Sequence, residues 1–471
     1  MTTVLTPDLA VIGAGSGGLS VAAGAVQMGA SVVLVEKGKM GGDCLNYGCV
    51  PSKSLIAAAH AAHAIRTAGR FGVNGHEPEI DFAAVREHVR GVIAGIAPHD
   101  SVERFEGLGV RVVKAAARFT GPLEIDAGGT TIRPRRAVLA TGSRAATPPV
   151  PGLEAVPFLT NETVFDLAER PDRLIVLGGG PIGCEIAQAH RRLGTPVTLL
   201  QRDTILPKDD PDAVEVVRRA LLADGVDLRE GAEVRRVEPR GNRIAIVLAD
   251  ETAVEGSHLL VAAGRQANVD GLGLEAAGIE YTAKGVTTDE SLRTTNRKVW
   301  AVGDVAGRQQ FTHVAGYHAS VVIRQALFRL PAKVDDKAVP WVTYTDPELA
   351  HVGLTSATAK ERGLDLKPLT FAYAENDRAR AERDTAGFAK ALVDGKGRIH
   401  GATIVGSHAG ELLQLWILAI KEGIKIGAVA QMIAPYPTLS EVNKRAAGSY
   451  YTPTLFGERT RKAVRFLSRF G

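Results

Sequence analysis

The sequence predicts an α/β protein with two Rossmann-like, three-layer ββα domains and a third, α+β domain. Three observations predict it. A pattern of strand, glycine loop, helix and strand opens the chain, the same pattern returns near residue 174, and the last third alternates strand-like runs with helical ones. At 471 residues, 45% hydrophobic and 23% charged, the chain is long and apolar enough for two to four packed domains.

The first pattern is "DLAVIGAGSGGLSVAAGAVQMGASVVLVEKG", from residue 8. A short apolar strand leads into Gly13, Gly15 and Gly18, then an alanine-rich helix, then a valine-rich strand ending at Glu36. In this context the first glycine turns the chain, the second admits a pyrophosphate and the third lets helix and strand pack, while the acid takes a free ribose hydroxyl. A bound dinucleotide is expected here.

The second pattern, "DRLIVLGGGPIGCEIAQAHRRLGTPVTLLQRD", repeats the spacing with Gly178, Gly180 and Gly183. Gln201 lies 23 residues after Gly178, as Glu36 lies 23 after Gly13. The acid is gone. A neutral amide followed by Arg202 and Lys208 suits a 2′-phosphate that an acid would repel, so NADPH is assigned to this site ahead of NADH.

Between the patterns stands "GGDCLNYGCVPSK", residues 41–53. Three cysteines in 471 residues cannot staple a fold, and no second close pair or histidine cluster completes a zinc set, so no metal site is expected. In a regular helix residues five apart have Cα atoms roughly 8 to 9 Å from each other. A disulfide needs less than about 7 Å. Cys44 and Cys49 can therefore join only where the backbone leaves the helix, which Gly41, Gly42 and Gly48 ease, and a bond so constrained is exchangeable.

With these residues in hand the chain resembles, along almost its whole length, the FAD-dependent pyridine nucleotide-disulfide oxidoreductases, the family of glutathione reductase, dihydrolipoamide dehydrogenase and mercuric reductase. The motifs that carry the likeness follow the family's order: the opening fingerprint, "GGDCLNYGCVPSK", "LATGS" (139–143), "GGGPIGCE", "VAAGRQAN" (261–268), "VWAVGDVAG" (299–307) and "PYPTLSE" (435–441). The resemblance implies FAD at the first site, with Cys49 as the charge-transfer thiol, Cys44 as the interchange thiol, and Lys53 near the flavin N5 paired with Glu185. It adds Lys37, Gly42, Asp43, Thr141, Gly142 and Asp304 to the FAD site, and Gly264 and Arg265, with Asn268, to the NADPH turn. A thiolate beside Lys53 should have a lowered pKa.

The resemblance also divides the chain: 1–145 and 266–335 build the FAD domain, 146–265 the inserted NAD(P) domain, and 336–471 an α+β dimerisation domain. A homodimer sharing its active site across subunits follows. One departure stands out. Where disulfide reductases of the family place a proton-shuttling histidine, this chain has Tyr436, with Glu441 in the place of its acidic partner. Tyrosine, with a pKa near 10, is a poor base at neutral pH.

The expected function is an NADPH-dependent, mercuric reductase-like flavoprotein passing electrons through FAD and the Cys44–Cys49 pair to a small acceptor such as a soft metal ion or a quinone. Dihydrolipoamide dehydrogenase or another small-disulfide reductase is the second reading. The third is a redox-sensing or scaffold flavoprotein, against which stand Lys53, Glu185 and both thiols, none of which a pure binding module needs. The tail lacks the cysteine pair that mercuric reductases use to deliver metal.

A net charge of +4 is too small to argue for nucleic acid, so no nucleic-acid partner is expected, and no stretch reaches eighteen apolar residues. The start carries no secretory signature, so a cytoplasmic protein is expected. At the other end Ala463, Phe466, Leu467 and Phe470 form an apolar stripe opposite Arg461, Lys462, Arg465 and Arg469. Such a helix can rest on an anionic membrane; packing within the dimer is the preferred expectation. Cys184 is expected as an inert core residue, and His313 and His318 in helix or core roles rather than at the flavin.

Overall fold

The computed structural model describes residues 3–470, which fold as two compact units. Of these, residues 3–202 and 231–334 group in the first and 203–230 and 335–470 in the second.

The first unit is built on two parallel sheets. In one, Leu9–Ile12 pairs with Val32–Val35 on one side and Arg136–Leu139 on the other, with Arg111–Val113 and Val299–Ala301 at the edges. Leu9–Ile12 and Val32–Val35 are buried at every position, as strands covered on both faces must be. Helices Ser16–Gln27 and Thr312–Ala326 pack together. Residues of a second, four-stranded sheet, among them Phe119, Ile125 and Ile132, close the same core. Each such buried side chain contributes about 1.5 to 3 kcal/mol.

The other parallel sheet sets Leu174–Leu177 between Val197–Gln201 and His258–Val261. The antiparallel strands Val234–Arg240, Arg243–Leu248 and Ala253–Gly256 share its core through Val237, Ile244, Ile246 and Val254. Both assemblies have the three-layer ββα form expected.

The second unit holds a five-stranded antiparallel sheet, in the order Pro340–Thr343, Glu348–Gly353, Ile399–Gly406, Phe388–Val393 and Lys367–Ala372. Its core closes on Trp416 and Tyr373. Helix Pro211–Ala223, within the range expected for the second dinucleotide domain, packs on this unit's sheet. Two polar anchors account for it. Lys390 Nζ donates to Asp210 Oδ1 (2.9 Å) and Asp212 Oδ2 (2.7 Å), and Trp341 Nε1 donates to Asp209 Oδ1 (2.7 Å). Asp210, 2% exposed, also caps helix Pro211–Ala223, whose apolar face packs on the sheet. Among the described residues no helix is long and apolar enough to cross a membrane.

Candidate active site

The two glycine loops are superimposable in logic. Gly13 and Gly178 take left-handed φ values of +105° and +113°. At Gly18 and Gly183 a Cβ would stand 1.9 and 1.8 Å from the carbonyl oxygens of Gly13 and Gly178, so only glycine lets helix meet strand. Helices Ser16–Gln27 and Pro181–Arg192 begin at Gly15 and Gly180 without side-chain caps. Uncapped N-termini of this kind suit a pyrophosphate.

The strand ends close each loop. Glu36 Oε2 accepts from Ala14 N–H and Oε1 from Gly38 N–H, both at 2.6 Å. Gln201 Oε1 accepts from Gly179 N–H at 2.7 Å. Lys37, next to Glu36, and Arg202, next to Gln201, are exposed; Lys208 is an exposed residue of the second unit.

The cysteines sit where the helix breaks. Gly42–Asn46 forms one short helix and Cys49–Thr67 the next, with Tyr47 and Gly48 outside helical geometry between them. Asn161, distant in sequence and buried, donates to Asp43 Oδ1 (2.9 Å) and to the Tyr47 carbonyl (3.3 Å), which fixes the break. Gly41 and Gly42 both have positive φ. A Cβ on Gly42 would lie 2.6 Å from Gly15 Cα, so the sulfur-bearing turn presses directly on the first glycine loop.

The two thiols divide one proton unevenly. Hydrogen bonding from Cys44 lowers the Cys49 pKa to about 6, helped by the Thr312 hydroxyl, 3.4 Å from its sulfur, and by the Lys53 ammonium, against the opposing effect of burial. The Cys44 thiol is held well above its ordinary range, first because it donates to Cys49 and then by burial. Lys53 Nζ donates to Glu185 Oε2 at 2.8 Å. The Glu185 side chain is only 6% exposed, so it is a buried anchor and not a surface acid.

Asp304 lies beside Ser143, whose hydroxyl donates to it, and burial raises its pKa. Arg265 is drawn to this cluster. Its guanidinium lies 3.2 Å from Asp43 and 3.6 Å from Asp304, and Nε donates to Ser143 Oγ at 2.7 Å. Those two carboxylates place it with the residues expected at the FAD site, whereas the sequence motif put it at the NADPH turn. Gly264 keeps a φ of +130° there, and Thr141 and Asn268 exchange hydrogen bonds of 2.8 and 2.9 Å. Gly142, at φ +67°, has open space where a side chain would be. Glycine cradles, uncapped helix starts and the Asp304 cluster fit FAD at the first loop; the second loop fits a nicotinamide nucleotide.

Beside the break a cavity of about 260 Å³ is lined by Lys39, Asn46, Tyr47, Arg90, Ile93 and Phe165 among others. Tyr436, in the second unit, is 71% exposed, and its hydroxyl donates to Asp377 Oδ2 at 3.2 Å, which raises its pKa. Glu441 opens helix Glu441–Gly448. Cys184 is fully buried and donates to the Gly179 carbonyl at 3.4 Å. His318 is buried and accepts from Gly303 N–H at 3.2 Å, while His313 stacks on Phe311.

Three residues escaped the sequence reading: Thr312, Asn161 and Asp377. Thr312 adjoins the quoted His313 and carried a readable hydroxyl; Asn161 and Asp377 carried no local signal.

The family model described as pyridine nucleotide-disulphide oxidoreductase matches residues 7–319, and that of the family's dimerisation domain matches residues 339–447. The chain is 36% identical to a mercuric reductase of Streptomyces lividans over 454 residues, covering 94% of this chain and 96% of the relative. It is 34% identical to a dihydrolipoyl dehydrogenase of Bacillus subtilis (strain 168), covering 93% and 95%. Among solved structures, the Cu(II) complex of the HOCl-induced flavoprotein disulfide reductase RclA from Escherichia coli matches at a TM-score of 0.84 and 28% identity, covering 92% of this chain and 98% of that one.

Proposed function

The chain belongs to the pyridine nucleotide-disulphide oxidoreductase family, a family of flavoprotein oxidoreductases using FAD and a pyridine nucleotide, and on that premise we propose that it reduces a small acceptor, a soft metal ion or a quinone, at the expense of NADPH. The observation that carries the reading is the uneven sulfur pair: a Cys49 thiol lowered to about 6 beside a Cys44 thiol held high. FAD, when bound, relays a pair of electrons from the nicotinamide nucleotide to these sulfurs.

The residues then have distinct tasks. Lys53 stabilises negative charge on Cys49, and buried Glu185 fixes where Lys53 can stand. Cys44 keeps the proton and meets the acceptor. Oxidation of the pair to a disulfide gives up two electrons and that single proton, so the atoms balance with no additional base. Gln201 and Arg202 select the 2′-phosphate by removing an anion and adding a cation.

Tyr436 decides the acceptor class. With its pKa raised by Asp377 it is neutral near pH 7 and can donate a proton but not withdraw one, which disfavours dithiol substrates. A structural neighbour solved as a Cu(II) complex supports a metal ion. A small-disulfide reductase is the second reading, favoured by the likeness to dihydrolipoyl dehydrogenase. Anaerobic reduction with NADPH followed by mercuric ion, Cu(II), quinones, lipoamide and glutathione disulfide separates the two. Turnover of metal or quinone, lost in Cys49→Ser, is expected; turnover of lipoamide alone would reverse the assignment.

A further inference from the structure

We infer that the C-terminal helix Glu458–Leu467 is a docking surface for an anionic lipid bilayer. The helix buries none of its residues. Val464, Phe466, Leu467 and Phe470 are 59, 57, 65 and 74% exposed. The rings of Phe466 and Phe470 meet edge to face at 5.1 Å, which places them on one side, and backbone bonds continue the turn through Phe470. Helical spacing puts Arg461, Lys462, Arg465 and Arg469 on the opposite side.

Charge complementarity selects the occupant. Residues 458–470 contain five cations, Arg459, Arg461, Lys462, Arg465 and Arg469, and one acid, Glu458, which pairs with Lys462 at 3.1 Å. Their net +4 equals the formal net charge of the whole chain, so all other residues together sum to zero. A second copy would bring an equally basic tail and a remainder with no net negative charge to answer it. The segment also lies past residues 339–447, the stretch matched by the dimerisation-domain model. An anionic bilayer supplies both complements: acyl chains for the phenylalanines and leucine, and phosphates within reach of the long arginine and lysine stems. With about three turns of helix, the attachment is reversible and weakened by salt. The inference does not depend on which acceptor is reduced.

Co-sedimentation of the FAD-loaded chain tests it, with phosphatidylcholine vesicles against vesicles containing about 30% phosphatidylglycerol. The bound fraction should be at least ~5-fold larger on the anionic vesicles and fall on raising salt from about 0.05 to 0.5 M. Phe466→Ser with Phe470→Ser should abolish it, as should Arg461→Gln, Lys462→Gln, Arg465→Gln and Arg469→Gln together. Flavin reduction by NADPH should be unchanged in both variants, since neither touches the redox residues. Equal sedimentation with both vesicle types, or binding retained by both variants, overturns the proposal. A change of oligomeric mass by light scattering in either variant also overturns it, because the helix would then be a protein contact.

Discussion

The two glycine loops of the first unit share one backbone and differ in what leans on it. Both have a left-handed first glycine, a third glycine with no room for a methyl, and a strand-end side chain closing an N–H of the loop. On the first loop Gly42 is packed against Gly15; at Gly180 a Cβ would meet nothing within 4 Å. The first loop is thus built into the redox turn and the second is left open, which is the difference the proposed function assigns to a resident and an exchanging ligand.

The sharpest way to break this contrast is to add one methyl to each loop's neighbourhood. Gly42→Ala must resolve a 2.6 Å contact at φ +61°, and should leave less than about a tenth of the wild-type flavin bound, an overpacking cost of about 1 to 3 kcal/mol. Gly180→Ala, in extended backbone and open space, should purify with full flavin by absorbance. Equal flavin loss in both would remove the distinction.

The next effect lies at the strand ends. Gln201→Glu gives the second loop the first loop's acid and should raise KM for NADPH about 10- to 100-fold, or about 1.4 to 2.8 kcal/mol, while the KM for NADH, whose free 2′-hydroxyl the acid can accept from, stays the same or falls. Steady-state kinetics with both nucleotides checks the ratio.

A smaller shift concerns the thiols above the first loop. Alkylation of Cys49 in the reduced protein should slow as pH falls through about 6, because the reactive thiolate takes up its proton there. Both Cys44→Ala and Lys53→Met should move that fall to higher pH, the former further, since the Cys44 hydrogen bond is the larger influence. Smallest of all, Tyr436→Phe should lower turnover of a metal or quinone acceptor by less than about 3-fold, for a neutral, exposed phenol contributes little general acid–base help.

Much of this was legible because it is local. The glycine spacings, Glu36 against Gln201, and the break that Gly48 permits all lie within short windows where period and residue type constrain the backbone. What was not legible depends on topology. Thr312 reaches Cys49 across 263 positions, and Asn161 reaches Asp43 across 118. Arg265 follows two carboxylates that no motif places beside it. The allegiance of helix Pro211–Ala223 rests on Lys390, a lysine that sequence alone would put on a surface.

That allegiance has a cost during synthesis. Asp210 waits 180 residues for Lys390, which at about 5 to 20 residues per second is roughly 10 to 40 seconds on the ribosome. For most of that interval the apolar face of helix Pro211–Ala223, with Val214, Val217 and Leu221, has emerged without strand Glu348–Gly353, and strand Ile399–Gly406 follows only after Lys390. The nascent chain is most open to chaperones, and to wrong partners, in the middle of its own translation.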